Sequence, residues 1–378
     1  MVYVGVDDHD IELFEGQFVV ENGMSYNSYL ILDDKICIMD SVDKNFGDEW
    51  INNIKKALNG KVPTYLVVSH MEPDHSANIM KLCNEYKDIT VVYTAKASQM
   101  ALQFFNEKPK NELIVKENDI LDLGKHKLKF ITAPFVHWPE VMFTYDEEAK
   151  VLFSADAFGK FGALDFDDPE GWACEARRYY FGIVGKYGAQ VQSVLKKISG
   201  LDIKTICPLH GPVLDDDINY YVKTYDTWSK YEPEDKGVFI AYASVYGHTE
   251  EACFKLKELI ESKGVHVSIA DMTDEDFHES IEDAFRYDRL VLASVTYNGG
   301  LFPVMDSFVE ALKERNYQNR KLAFIENGSW APQAAKAFEL KFENCKNITI
   351  CETKVKLIGS INADSLKQIE VLAEELKN

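Results

Sequence analysis

Clustered cysteine is missing from this 378-residue sequence. Its seven cysteines, Cys37, Cys83, Cys174, Cys207, Cys253, Cys345 and Cys351, are odd in number and form no C-x-x-C pair. That argues against a disulfide framework and for reduced thiols, as expected of a cytoplasmic protein. It also excludes an iron–sulfur or rubredoxin module within these residues, because such centres need grouped thiolates. Any iron here must be held by histidine and carboxylate. Basic residues are scarce too: 41 Lys and Arg stand against 62 Asp and Glu, a formal net charge of −21. A field of that sign repels nucleic-acid phosphates and anionic lipid, and favours a basic partner or a neutral substrate. No apolar run approaches the roughly 18 residues of a membrane span. The first ten residues carry Asp7, Asp8 and Asp10 and lack the basic-then-apolar layout of a signal peptide. There is no internal repeat and no low-complexity tract.

What is present is an ordinary globular composition, 46% hydrophobic and 27% charged, in a length that suggests two or three domains at roughly 150 residues each. The clearest seam is the polar, proline-containing stretch 229–237, S-K-Y-E-P-E-D-K-G. It places a boundary near Asp235 and gives domains 1–235 and 236–378. Before it, short apolar runs at 29–32, 36–39, 65–69, 90–93, 128–133, 151–154 and 205–207 read as strands, with helices at 45–58 and 77–86. That mixture predicts two sheets with helices outside. After the seam, strands at 238–243, 266–270, 290–294, 321–326 and 348–353 alternate with helices such as 249–263 and 303–315. The alternation predicts an open, parallel, doubly wound sheet.

The first chemical constellation lies at the end of the run 67–75, V-V-S-H-M-E-P-D-H. Val67 and Val68 carry a buried strand and deliver His70, Glu72, Asp74 and His75 to its C-terminal end. His137, Asp156 and His210 each follow a later apolar run in the same way. A lone His such as His210 is ordinarily a hydrogen-bonded loop residue, and Asp156 alone could cap a helix. H-x-E-x-D-H is different, because its groups repel or desolvate one another without a cation. Seven ligands exceed one closed tetrahedral zinc site. Glu72, Asp74 and Asp156 with a bridging hydroxide balance two divalent cations, and one carboxylate, Asp156, can bridge both. Mixed His and carboxylate ligation with open positions suits non-haem iron or manganese.

The second constellation is a set of loops after the strands of the C-terminal half. Ser244-Val245-Tyr246-Gly247-His248-Thr249 precedes a helix, so its hydroxyls and the free N–H groups of the helix start make an anion cradle. It is not G-x-G-x-x-G, which favours a phosphate monoester over a dinucleotide. Such a turn is also a common capping loop. Two further loops, with Ser294, Thr296, Tyr297, Asn298 and Gly299, and with Ser329 and Trp330, would together hold a phosphate and sandwich a flat ring. Tyr297 and Trp330 also admit ordinary packing.

H-x-E-x-D-H followed by His, Asp and His resembles the metallo-β-lactamase-like fold, whose hydrolases generally carry H-x-H-x-D-H. Glu72 in the second position, with S-A-D-A-F-G at 154–159, resembles the flavodiiron proteins (A-type flavoproteins). The resemblance implies an N-terminal αββα sandwich and a C-terminal flavodoxin-like sheet of order 2-1-3-4-5 over nearly all of 238–378. It implies one iron on His70, Glu72 and His137, a second on Asp74, His75 and His210, and Asp156 as the bridge. It implies FMN with its phosphate at Ser244, Tyr246, Gly247, His248 and Thr249, and Tyr297 and Trp330 near the isoalloxazine. The implied chemistry is reduction of O2 to water, of NO to nitrous oxide, or of both, with electrons from a separate rubredoxin through FMN. A head-to-tail homodimer, or a dimer of dimers, is implied as well. The competing expectation is a di-zinc hydrolase fused to a flavodoxin; Glu72 and the lack of a use for FMN argue against it. Phe158 and Phe161 line a gas pocket or pack the core, His126, His266 and His278 read as surface groups, and His9 sits among acids.

Overall fold

The computed structural model of the chain describes residues 1–377 other than 167 and 275. It divides into two compact units, Met1–Asp226 and a second beginning at Thr227.

The first unit holds two main sheets. One has six strands in the order Val2–Tyr3, Tyr29–Ile31, Cys37–Met39, Tyr65–Val67, Thr90–Thr94, Glu112–Val115. The other has five, Ile120–Asp122, Lys127–Thr132, Met142–Asp146, Val151–Phe153 and Thr205–Cys207. Side chains alternate across a strand, and that alternation builds two cores. Tyr29, Ile31, Cys37, Met39 and Val67 meet Leu128, Phe130 and Phe153 in one cluster, so it is filled from both sheets. Leu30, Ile38 and Leu66 turn the other way onto Trp50, Ile54 and Leu82. Trp50 and Ile54 belong to the helix Gly47–Leu58, whose first turn carries Asp48 and Glu49 and whose last turn carries Lys55 and Lys56. Those charges complement the helix dipole. Asn59 ends the helix in a left-handed conformation at φ 45°. Burying a side chain such as Phe130, fully enclosed here, contributes about 1.5–3 kcal/mol.

The second unit carries a wholly parallel sheet in the order Val267–Asp271, Asp235–Ala243, Tyr287–Val295, Lys321–Asn327, Thr349–Ile350. In chain order that is 2-1-3-4-5. The fifth strand differs from the single run expected at 348–353. It is broken into Thr349–Ile350 and Val355–Leu357, both paired with Lys321–Asn327. Between them the backbone N–H groups of Glu352 and Thr353 leave the ladder and donate to the Glu375 carboxylate. The division between units also falls earlier than the expected seam at Asp235, where a strand already begins. The stretch before that strand is tied into the second unit, with Arg320 Nη1 donating to the Tyr231 carbonyl at 2.7 Å.

Among the described residues no helix is long and apolar enough to cross a membrane.

Candidate dimetal and flavin sites

Seven side chains converge at the C-terminal ends of strands in the first unit. The strand Tyr65–Val67 runs on through Val68 and Ser69 to His70, and Asp40 pins that exit: its Oδ1 accepts from Ser69 N at 2.6 Å. Pro73 opens the short helix Pro73–Ser76, which presents Asp74 and His75. His137 lies between Lys127–Thr132 and Met142–Asp146, Asp156 follows Val151–Phe153, and His210 follows Thr205–Cys207. Asp156 caps no helix.

The seven fall into two groups around Asp156. His70, Glu72, His137 and Asp156 form one, and Asp74, His75 and His210 the other. Asp156 Oδ2 lies 3.2 Å from His70 Nε2 and 3.1 Å from His137 Nε2. Its Oδ1 lies 3.4 Å from His75 Nε2 and 3.9 Å from His210 Nε2. One carboxylate thus faces each group with one oxygen. Within the groups, Glu72 Oε2 is 3.1 Å from both His70 and His137 Nε2. Asp74 Oδ2 is 3.2 Å from His75 Nε2 and 3.3 Å from His210 Nε2.

Several of these contacts are not satisfied hydrogen bonds. Both oxygens of Asp74 and of Asp156, and His137 Nε2, are buried without an aligned partner. His210 Nδ1 lies 2.7 Å from the Ser25 carbonyl, which can only accept, so that nitrogen carries the hydrogen. In the neutral ring its Nε2 is then a lone pair, 3.0 Å from His75 Nε2. His70 Nδ1 lies 2.8 Å from Glu140 Oε1 in the same way, which turns its Nε2 toward Glu72 and Asp156. With neutral rings, lone pairs and anionic oxygens about 3.0–3.4 Å apart repel, yet that is the spacing of ligand atoms each about 2.1 Å from a shared cation. The donor set fits two metal ions.

The electrostatics agree. Burial alone would raise the Asp156 carboxyl, but the imidazoles of His70, His137 and His75 hold it well below the usual carboxylate range. Burial opposes charge on His137, yet Asp156 and Glu72 lift it to about 9. Without a cation the carboxylates stay ionised only by protonating their histidines; a metal takes the place of those protons.

Two residues of this site escaped the sequence reading. Glu140 is 2% exposed and also accepts from Met71 N at 2.9 Å. Glu15 sits in the turn between Leu13–Phe14 and Phe18–Val19, at φ 51°. Its side chain is exposed, yet partial desolvation and then the neighbouring Glu72 raise it to about 7. Nothing in the sequence around either residue marks it, since each reaches the site only through the fold. His9 instead joins Asp7 and Asp165 in a separate, largely exposed group. Phe158 packs on Tyr225 with ring centres 4.2 Å apart, and Phe161 on Tyr179 at 5.1 Å, so both are core residues beside the site. His126, expected at the surface, is partly buried with Nδ1 2.6 Å from Asp146 Oδ2.

In the second unit, a cavity of about 560 Å³ is lined by Ser244, Tyr246, His248, Thr249, Thr296, Tyr297, Asn298, Gly299, Ser329 and Trp330. Ser294 is not among the lining residues. It is fully buried and accepts from Phe302 N at 3.2 Å while donating to the Val295 carbonyl. Gly247 acts through its backbone: at φ 86° it starts the helix His248–Glu261 with no side-chain cap, which leaves the first N–H groups for a ligand. Tyr246 is 89% and Trp330 83% exposed, so both rings stand at the cavity edge as open platforms. Uncapped donors, hydroxyls and flat aromatic faces fit a phosphorylated flavin. Asn327, from the same loop as Ser329 and Trp330, also lines the cavity, as do Gln333 and Gly359, which the sequence reading passed over.

A lactamase-like sandwich with a two-metal ligand set, followed by a flavodoxin-like sheet whose cavity offers the donors and aromatic faces a flavin phosphate needs, defines a two-centre metalloflavoprotein. The comparisons with known proteins agree. The ODP family beta lactamase matches residues 24–211, and the flavodoxin domain family matches residues 239–355. A nitric oxide reductase of Moorella thermoacetica is 32% identical over 362 residues, spanning 93% of this chain and 90% of that protein. The flavodiiron protein of Giardia intestinalis superposes with a TM-score of 0.93 at 26% identity, over 99% of this chain and 93% of that one. The rubredoxin:oxygen oxidoreductase of Desulfovibrio gigas shares the fold, with a TM-score of 0.92 at 23% identity over 99% and 95% of the two chains. The chain belongs to the flavodiiron proteins.

Proposed function

We propose that this protein reduces O2 to water, NO to nitrous oxide and water, or both, at a diiron site fed by FMN. The observation that carries the reading is the split of Asp156, one oxygen toward His70 and His137 and the other toward His75 and His210. Iron on those ligands and FMN in the second unit supply the redox chemistry when bound. The protein's own residues do the rest. His70, Glu72 and His137 would hold one ion and Asp74, His75 and His210 the other, with Asp156 facing both groups. Glu140 and the Ser25 carbonyl fix the imidazoles that face the metals. Phe14, Phe161 and Tyr179 pack around His210 and keep bulk water from that side. In the second unit Ser244, Tyr246, Gly247, His248 and Thr249 would receive the FMN phosphate, while Tyr297 and Trp330 would flank the ring.

The metal-bearing domain is the unit Met1–Asp226 and the flavin-bearing domain the unit that begins at Thr227. A small rubredoxin-type carrier is the donor, as the name of the Desulfovibrio relative suggests, and the protein acts in the cytoplasm. The exposed Tyr246 and Trp330 support a head-to-tail homodimer, or a dimer of dimers, in which a second chain covers each flavin.

The test is metal and flavin content per chain on protein purified without air from iron-supplied cells. About two irons and one FMN, followed by consumption of O2 or NO by the reduced protein, is the expected result. Two zincs with no iron despite iron supply would overturn the redox reading and favour hydrolysis.

A further inference from the structure

One side chain ties three loops of the flavin cavity together. Asn327, the last residue of Lys321–Asn327, is 6% exposed. Its Oδ1 accepts from Gly359 N at 3.1 Å, and its Nδ2 donates to the Gly359 carbonyl at 3.0 Å. The backbone of Gly359 offers one donor and one acceptor, so it settles which way the amide points. The second hydrogen on Nδ2 goes to Thr249 Oγ1, 3.3 Å away.

This last contact has a direction. An amide nitrogen donates and does not accept, so the Thr249 hydroxyl must be the acceptor. Its own hydrogen is left to point elsewhere, and Thr249 lines the cavity. Ser244 is arranged alike: its Oγ accepts from Gly247 N at 3.1 Å and keeps its hydrogen for the cavity. Two hydroxyls around the start of the helix His248–Glu261 thus have one lone pair occupied and their O–H free to donate into the cavity. A phosphate dianion offers acceptors only, and charge-assisted bonds from such donors are the stronger kind. The ribityl hydroxyl of an unphosphorylated flavin both donates and accepts, so it gains less from a committed donor.

We propose that Asn327 is a positioning residue that commits the Thr249 hydroxyl to donate to the flavin phosphate, making the cavity select FMN over riboflavin. The inference rests on the flavin reading of this cavity. It deepens that reading by assigning phosphate discrimination to a residue outside the phosphate loop.

The test uses the full-length chain depleted of flavin, with FMN and riboflavin titrated separately and binding followed by flavin fluorescence. In N327D a carboxylate oxygen accepts from Thr249, reverses the bond and adds negative charge. The Kd for FMN should rise at least about ten-fold, while that for riboflavin changes less than about two-fold. Thr249→Val removes the hydroxyl at nearly constant shape and should narrow the same ratio. N327A in a Thr249→Val background should add no further selective loss. Equal losses for both flavins, or an unchanged ratio in Thr249→Val, would overturn the proposal. Wild-type chain that binds riboflavin but gains nothing from the phosphate would overturn it too. Failure to bind either flavin would instead sink the flavin reading itself.

Discussion

The Glu140 Oε1 atom lies 2.8 Å from His70 Nδ1 and, at the same time, 2.9 Å from the backbone nitrogen of Met71. The two contacts fix both the ring's tautomer and its rotation, so His70 Nε2 can face only Glu72 and Asp156. Carboxylates behind ligating histidines commonly serve this purpose. Replacing Glu140 with Ala should therefore weaken metal retention by about 10- to 100-fold and leave flavin content unchanged. Iron per chain after dialysis against graded chelator measures this. Unchanged retention would mean that packing alone orients His70.

Asp156→Asn tests the bridge. An amide keeps the shape but removes the negative charge shared by the two groups. Both ions should be lost together, so that iron falls from about two per chain toward none while FMN stays bound. Loss of a single iron would show that Asp156 serves one group only.

Metal removal should lower the thermal stability of the first unit, because the buried carboxylates Asp74 and Asp156 then lack partners. With free metal at about 100 times its Kd, the linkage amounts to roughly 2.7 kcal/mol. Calorimetry of iron-loaded and chelated protein should show one transition move and the flavin-dependent one stay.

Glu15 gives a pH prediction for the metal-free protein. Its pKa is raised from 4.5 to about 7, by partial desolvation first and Glu72 second, although the side chain is exposed. The folded state thus prefers the protonated form. That contribution is complete below about pH 4.5 and is lost as the pH rises through 7. Glu15→Gln keeps the uncharged form at every pH. It should match the wild type at pH 4.5 and melt about 2 °C higher at pH 8. In the iron-loaded protein the gap should shrink, since cations neutralise Glu72. A gap that grew at low pH would contradict the sign.

Trp330 is 83% exposed at the flavin cavity, so removing its ring should cost binding and little stability. Trp330→Ala should weaken FMN affinity by about 0.5–1.5 kcal/mol without moving the melting temperature. Unchanged flavin affinity together with unchanged turnover would remove Trp330 from the site.

Much of this architecture is legible in the sequence because its signals are local. A parallel sheet buried on both faces needs continuous apolar runs, and 238–243, 290–293 and 322–325 are such runs. The strand Met142–Asp146 was not read, although all five of its residues are buried. Its Thr144 and Asp146 break the apolar run, and only its pairing with Lys127–Thr132 and Val151–Phe153 makes it a strand. The broken fifth strand was unreadable for a similar reason. The group that draws Glu352 and Thr353 off the ladder is Glu375, 22 residues beyond Thr353.

The sequence by itself determined which side chains carry the chemistry. Ligand types, their spacing after buried strands and the loop composition are all written in short segments. Tertiary structure alone decided how those groups divide and what orients them. That Asp156 presents one oxygen to each group, that Glu140 and Ser25 fix two imidazoles, and that Asn327 turns the Thr249 hydroxyl outward all depend on contacts across tens to nearly two hundred residues. The direction of a hydrogen bond is a property of two groups in space, and a linear pattern holds only one of them at a time.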